Sequence, residues 1–156
     1  MKAKDYLKQL DKMNAIIQNK MIEKAQWHDI ALGVTAHSGG ERVQSSGSQQ
    51  KMSDAINRWI DIEKEIDRLI DELVDTKLEI ISTIERLNAT EYKVIHMRHI
   101  QGMTFDEIGD VCDKSKSWAT TVYGRALQHL QWILDERETP GIHAAQKNFT
   151  EVYGEM

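Results

Sequence analysis

The sequence predicts an all-α protein, and three observations support that prediction. Apolar residues recur at three- and four-residue spacing along two long segments, which is the period of an amphipathic helix. Three polar residues suited to cap helices precede further apolar runs. The 156 residues include a single proline, Pro140, so very little in the chain interrupts a helix. We expect an N-terminal long-helix hairpin or coiled coil, followed by three shorter helices.

The first predicted helix spans residues 3–31. The following residues 33–50 show no helical period, and these eighteen residues include four glycines, four serines and three glutamines. This composition predicts a loop that is longer than most connections in compact domains. The apolar stripe of the first helix consists of Tyr6, Leu10, Met13, Ile17 and Met21.

The second predicted helix, residues 51–87, has the most regular pattern. Its apolar residues recur at alternating spacings of three and four over about five heptads and form one continuous seam. Ile56, Ile70 and Ile84 widen the stripe on one flank. A helix of about 55 Å, at ~1.5 Å per residue, cannot bury its own stripe. It must therefore pack against the first helix, a second subunit, or both, and we assign residues 1–86 to one helical domain. The seam consists of Met52, Ala55, Trp59, Ile62, Ile66, Leu69, Leu73, Thr76, Ile80, Thr83 and Leu87.

A second domain, residues 87–134, is predicted from its helix start signals. Asn88 and Thr104 each precede a glutamate three residues later, which is the spacing of a capping box. Ser115 is a third N-cap candidate. The approximate bounds of the predicted helices are 89–101, 105–111 and 116–134.

Two glycines and a set of apolar positions fit this arrangement. Gly102 stands where the first of the three helices should end. Gly109 lies inside the middle helix, where glycine costs about 1 kcal/mol relative to alanine, so we expect the next helix to approach closely there. Cys112, in the following turn, is expected to pack in the core. The predicted core positions are Leu87, Val94, Ile95, Met97, Phe105, Ile108, Val111, Ala119, Val122, Ala126, Leu127 and Leu130.

The charge is distributed unevenly along the chain. A net charge of −5 argues against indiscriminate binding to nucleic acid or anionic lipid. The acidity lies in residues 51–86 and 131–156, however, while residues 87–130 carry five basic and five acidic residues. The polar residues 135–156, which include Pro140 and Gly141, predict a loosely attached tail.

Several functional classes are disfavoured by the absence of their motifs from the sequence. One cysteine rules out a disulfide framework, and no apolar run approaches the ~20 residues of a membrane span. We therefore expect a cytoplasmic protein. Phosphate-binding glycine loops and nucleophile elbows are missing, so we expect neither an enzyme nor a cofactor. His96 and His99 share a helix face, but no carboxylate or cysteine accompanies them in sequence, so surface positions are favoured over a metal site.

The last two predicted helices and the tight turn between them are typical of a helix-turn-helix. Over about 44 residues without a gap, from Leu87-Asn-Ala-Thr-Glu91, through Thr104-Phe-Asp-Glu107-Ile108-Gly109, to Arg125-Ala126-Leu127, the chain resembles region 4 of sigma factors. Over most of residues 3–134 it is similar to the ArpU/RinA-like transcription regulators of bacteriophages and integrative elements. This resemblance implies a regulator of phage or mobile-element genes that binds double-stranded DNA and acts with RNA polymerase.

The resemblance also implies the DNA-facing residues. Helix geometry independently points residues 116, 117, 120, 121, 124 and 125 outward if Ala119, Val122 and Ala126 face the core. Sigma factors tend to carry arginines, a glutamate and a glutamine in this stretch, so few side chains that read guanine remain and we expect weak binding by one subunit. Trp118 either packs against DNA sugars or is buried against the protein. The implied groove-facing residues are Lys116, Ser117, Trp118, Thr120 and Thr121, and those near phosphates are Thr104, Ser115 and Arg125.

Other functions remain open at this point. A protein-interaction adaptor, which binds polymerase or a host factor without DNA contact, fits the neutral charge and the threonine-rich face. A DNA-packaging subunit of the small-terminase type also couples a helix-turn-helix to helical oligomerisation. Self-association is a further alternative for the long helices. In the 33–50 loop, Arg42 either contacts DNA or polymerase, or belongs to a simple connector.

Overall fold

The structure is a computed structural model that describes residues 1–33 and 46–140. Within these residues all regular structure is helical, as predicted. The helices are α1 (Ala3–Ala31), α2 (Ser46–Ile84), α3 (Ala89–Ile95), a π-helical segment (His96–Ile100), α4 (Phe105–Val111) and α5 (Lys116–Glu138). None of the helices in the described part of the chain is long and apolar enough to span a membrane.

The bounds of α1 agree with the sequence prediction, but α2 begins at Ser46 rather than at residue 51. The first turns of α2 carry no apolar period, and for this reason the pattern missed them. Gln50 donates a hydrogen bond to Asp54 one turn later, at 2.9 Å, a contact that supports a helix locally. Residues 34–45 of the predicted loop, including Arg42, and the tail from residue 141 lie outside the described residues.

The described residues form two compact units, the first of which comprises residues 11–33 and 46–75. In this hairpin unit, α1 and α2 run antiparallel. The ammonium of Lys24 lies 3.1 Å from a carboxylate oxygen of Glu63, and the ring of His28 packs edge-on against Trp59 at 5.0 Å. The seam of α2 therefore packs against α1 in this unit, while coiled-coil contact with a second subunit stays a prediction. The buried apolar side chains of the unit are Ile17, Ala31, Ala55, Ile62 and Ile66.

Four charged side chains also join the two helices of the hairpin unit. Arg58 donates to Glu23 at 3.0 Å and to Glu65 at 3.4 Å, and Lys20 lies 2.8 Å from Glu65. The hydrogen bond from Arg58 lowers the pKa of Glu23, and the bond from Lys20 lowers the pKa of Glu65. The charged forms of both carboxyls are thus favoured in the folded hairpin.

The second unit comprises residues 1–10 together with residues 76–140. The phenol of Tyr6 donates a buried hydrogen bond to the hydroxyl of Thr83 at 3.0 Å, and the backbone N–H of Ala3 donates to Gln131 at 2.7 Å. Arg137 donates to Glu79 at 3.1 Å, and this bond raises the pKa of its guanidinium. These contacts explain why α5 continues four residues beyond its predicted end: its last turns pack against the start of α1 and the end of α2.

The core of the second unit contains most of the predicted apolar positions. Phe105 and Leu127 are half-buried, whereas the other predicted positions except one lie in the interior. Val111 is the exception: it ends α4 with 56% of its surface exposed, so its assignment to the core was wrong. The period of a seven-residue helix cannot specify which side of its last turn faces the core.

Candidate nucleic-acid interface

Both helices of the helix-turn-helix, α4 and α5, begin at a capping side chain. The hydroxyl of Thr104 accepts from the backbone N–H of Glu107 at 3.2 Å, and the Glu107 carboxylate accepts from the backbone N–H of Thr104 at 2.7 Å. This is the predicted capping box of α4. Ser115 caps α5, because its hydroxyl oxygen accepts from the N–H of Trp118 at 3.0 Å. The caps fix where both helices begin and therefore the length of the turn between them.

The turn between α4 and α5 explains Gly109. A Cβ on this residue would lie 2.8 Å from the carbonyl oxygen of Lys114, and the N–H of Lys114 donates to the Gly109 carbonyl at 2.8 Å. The expected close approach is therefore present, although the neighbour is the turn just before α5 rather than α5 itself. Asp113 adopts a φ of +53°, a conformation that aspartate tolerates better than most side chains.

The segment before α4 is held in place by Arg98. Its guanidinium donates to the carbonyl of Met103 at 2.9 Å and lies 4.6 Å from the centre of the Phe105 ring. Gly102, which follows the π-helical segment, has a φ of +71°, in agreement with its predicted place at a helix end. Arg98 thus stabilises the short segment between the π-helical segment and α4.

The two histidines of the π-helical segment contact other side chains. A ring nitrogen of His99 lies 3.0 Å from the Tyr123 hydroxyl, and one of His96 lies 3.0 Å from Gln101. Among residues 1–33 and 46–140, no group of three His, Cys, Asp or Glu side chains could hold a metal ion.

A small apolar core supports the two helices. Five buried side chains form it, and partly buried neighbours, among them Cys112 and Trp118, pack against it. The partly buried indole of Trp118 packs against the protein, which is the second of the two arrangements that the sequence left open, and its contact with DNA sugars stays a prediction. The buried members are Val94, Met97, Ile108, Ala119 and Val122.

The opposite face of α5 is exposed at all six positions that helix geometry pointed outward. The Thr120 hydroxyl lies 3.1 Å from the carbonyl of Lys116 and 2.9 Å from that of Ser117, and the Thr121 hydroxyl donates to Ser117 at 2.8 Å. Their hydroxyl hydrogens thus point to the helix backbone, while their methyl groups and oxygen lone pairs remain at the surface.

Two basic side chains stand on this face, in different environments. The ammonium of Lys116 lies 3.2 Å from a carboxylate oxygen of Asp106 on α4, and both side chains are exposed. Arg125 is exposed and has no ion-pair partner in the described part of the chain. Residues 104, 115–117, 120, 121 and 125 of the predicted set therefore lie at the surface, with residue 118 apart.

A buried carboxylate lies between α3 and α5. Glu91 is only 4% exposed, and both of its oxygens lie 2.8 Å from Nδ1 of His129 on α5. Since a carboxylate can only accept, Nδ1 of His129 carries the hydrogen. The Asn88 side chain accepts from the backbone N–H of Glu91 at 2.9 Å and caps α3 as predicted. The Glu91 side chain bonds to His129, so it joins α3 to α5.

Several residues of this unit were missed by sequence reasoning. Asp106 entered only as part of the resemblance, and the contacts of Arg98, the turn conformation of Asp113 and the pair of Glu91 with His129 were not predicted. A buried glutamate could have been suspected, because Glu91 shares its helix face with Val94 and Ile95, which are also buried. Its partner is 38 residues away along the chain, and no local pattern identifies it.

The comparison with protein families agrees with this geometry. Residues 83–131 match the family described as sigma-70, region 4, which is roughly a third of the chain. The matched range contains α3, the π-helical segment, α4 and the first two thirds of α5. Searches of curated proteins and of solved structures gave no match. Residues 83–131 thus form a DNA-binding helix-turn-helix of the sigma-region-4 type, a kind of domain that serves transcription.

Proposed function

We propose that this protein regulates the transcription of phage or mobile-element genes by binding promoter DNA together with RNA polymerase. The observation that supports this most is the capped α4–turn–α5 unit with an exposed polar face, within the segment that matches sigma-70 region 4. In a helix-turn-helix, the first helix braces the unit while the second enters the major groove with its N-terminal residues at base edges. Here α4 takes the first role and α5 the second.

Contacts to phosphate come from three side chains in this proposal. The hydroxyl oxygens of Thr104 and Ser115 accept from helix N–H groups, which leaves each hydroxyl hydrogen available to donate to a phosphate. Arg125 offers a charged, planar donor on the same face of α5. Such contacts set the register of the protein on DNA but carry no sequence information.

Base contacts come from the first two turns of α5. Thr120 and Thr121 expose methyl groups, which suit the methyl of thymine, and oxygen atoms, which accept from base amino groups. Lys116 and Ser117 supply the remaining donors. We therefore expect a preference for a site that contains A·T pairs, with modest affinity.

RNA polymerase supplies the affinity that this face lacks. Residues 87–130 are neutral by side-chain count, so one chain neutralises few phosphates and binds weakly on its own. Contact with polymerase, or a second copy on a neighbouring half-site, adds the missing free energy. We assign this role to the long helices α1 and α2.

Binding of the purified protein to the DNA upstream of its neighbouring genes, with and without RNA polymerase, tests the proposal. Replacing both Lys116 and Thr120 by alanine should weaken binding at least tenfold, since a good base contact contributes about 1–3 kcal/mol. Circular dichroism should show unchanged helix content. Lys64→Ala, which removes the same charge from an exposed position on α2, is the control for the measurement without polymerase and should there bind as the wild type does. Absence of binding under both conditions would refute the proposal.

An adaptor that binds a protein partner without DNA is the second candidate. The observation in its favour is that the threonine hydroxyls donate to the backbone and Lys116 is paired with Asp106, so few free donors remain. The backbone amides of residues 116–125 distinguish the two candidates. Their NMR signals should shift with DNA if the first is correct, and only with polymerase if the second is.

A further inference from the structure

Asp106 lies in the first turn of α4 and reaches across to the first residue of α5. Its carboxylate oxygen is 3.2 Å from the ammonium of Lys116, with the two side chains 66% and 61% exposed. Lys116 is the only lysine of α5. Asp106 of α4, the bracing helix, therefore forms an ion pair with Lys116, the first residue of the recognition helix α5.

The remaining donors on this face do not replace Lys116. The hydroxyl hydrogens of Thr120 and Thr121 point to the helix backbone. Arg125 lies nine residues further along α5, which is about 13 Å at ~1.5 Å per residue. Within the first two turns of α5, where a helix-turn-helix meets base edges, Lys116 is thus the one cationic side chain, and its charge is offset by Asp106. The exposed Lys114 lies before the helix, in the turn.

We propose that Asp106 is a positioning residue that restrains Lys116 and thereby lowers the affinity of the free protein for DNA of any sequence. This inference rests on the proposed function. An exposed ion pair is weak and salt-sensitive, so a well-placed phosphate or base can displace it. At the correct site, contacts made by polymerase or a second copy fix the register of α5, and the DNA can then displace Asp106 from Lys116. DNA of random sequence lacks these contacts, so nothing offsets the loss of the ion pair there. The pair thus penalises non-specific binding more than binding at the correct site.

The test uses the full chain, a fluorescently labelled duplex of random sequence and several salt concentrations. Asp106→Asn should tighten binding by about two- to fivefold, the range that an exposed pair allows. The plot of log K against log salt should steepen by about 0.9, since one more phosphate is neutralised. Asp110→Asn is the matched control, because Asp110 is exposed one turn later on α4 and forms no ion pair within the described residues. It should change affinity less and leave the slope unchanged.

A double-mutant cycle with Lys116→Gln separates the pair from simple charge repulsion. If Asp106 acts through Lys116, Asp106→Asn should have no larger effect than Asp110→Asn once Lys116 is replaced. An equal effect of the two aspartate substitutions in the wild-type background would overturn the inference, as would an Asp106→Asn effect that persists without Lys116. If the wild type binds upstream DNA but the salt slopes of the wild type and of Asp106→Asn coincide, only the inference about Asp106 fails. If no variant binds any duplex, with or without polymerase, the proposed function fails with it.

Discussion

Residues 11–75 and the helix-turn-helix unit are stabilised by different kinds of contact. In the hairpin unit, two long helices share one apolar seam, and exposed or half-exposed charges such as Arg58 and Glu23 bridge them. In the helix-turn-helix unit, short helices are capped and enclose buried side chains, including the charged Glu91, and the turn before α5 approaches Gly109 closely. Substitutions of the bridging charges should therefore be mild in the hairpin unit, whereas substitutions at the caps, at Gly109 and at the Glu91 pair should be costly in the other, because exposed ion pairs contribute little and buried groups have few substitutes.

The four tryptophans allow the two units to be observed separately. Trp27 and Trp59 lie in the hairpin unit, and Trp118 and Trp132 lie in the other. Replacing one pair by phenylalanine leaves fluorescence that reports only on the remaining unit. Each variant is made in the chain that keeps only the tryptophans of its own unit, and it is compared with that chain.

The largest effect is expected from His129→Leu. This change leaves the Glu91 carboxylate buried without its side-chain partner, which should cost about 3 kcal/mol in the free energy of unfolding. Urea unfolding followed by Trp118 and Trp132 fluorescence measures it. Replacing Glu91 by Met in the same chain should restore at least half of the loss, because no buried charge then remains. A loss that the second substitution does not reduce would contradict the role of the pair.

Gly109→Ala should destabilise the helix-turn-helix by about 2 kcal/mol. A Cβ at this position would meet the backbone oxygen of Lys114 at 2.8 Å, and this clash outweighs the gain in helix propensity. Gly124→Ala on α5 is the matched control, since a Cβ on Gly124 would have no neighbour within 4 Å. It should instead stabilise by about 1 kcal/mol. Thermal unfolding in the Trp118/Trp132 background should show shifts of opposite sign, and shifts of the same sign would refute the close approach.

Asn88→Ala should cost about 1 kcal/mol, because α3 loses the side chain that accepts from the Glu91 N–H. Urea unfolding in the same background is the measurement. Asn88→Asp retains the acceptor and should keep most of the stability, so equal losses for Ala and Asp would argue against the cap.

The smallest effect concerns the ion pairs of the hairpin unit. Because the pKa values of Glu23 and Glu65 are lowered in the folded state, the stability they contribute is present above their ordinary value of 4.5. It is lost as the pH falls through the lowered folded-state values. Stability of the hairpin, followed by Trp27 and Trp59, should thus decrease slightly as the solution is acidified below about pH 5. A chain with Gln at both positions should show a smaller decrease, and an identical decrease would exclude these pairs as its cause.

Much of the fold was predictable from sequence because it depends on neighbours within one turn. Thr104, Ser115 and Asn88 cap helices through hydrogen bonds to residues three positions later, so the signal and the contact lie in the same short segment. Gly102 was identified as a helix end for the same reason. The exposed positions of the recognition face followed from the helical period once Ala119, Val122 and Ala126 were placed inside.

The environment of each side chain on that face was not predictable in this way. The sequence by itself determined that the chain is helical, where α1, α4 and α5 begin, and which side of α5 carries polar groups, because these depend on local hydrogen bonding and helical period. Only the tertiary structure decided that Trp118 packs inward, that Glu91 meets His129 and that Asp106 holds Lys116. These contacts join residues on different helices, and their partners are selected by packing distance rather than by spacing along the chain.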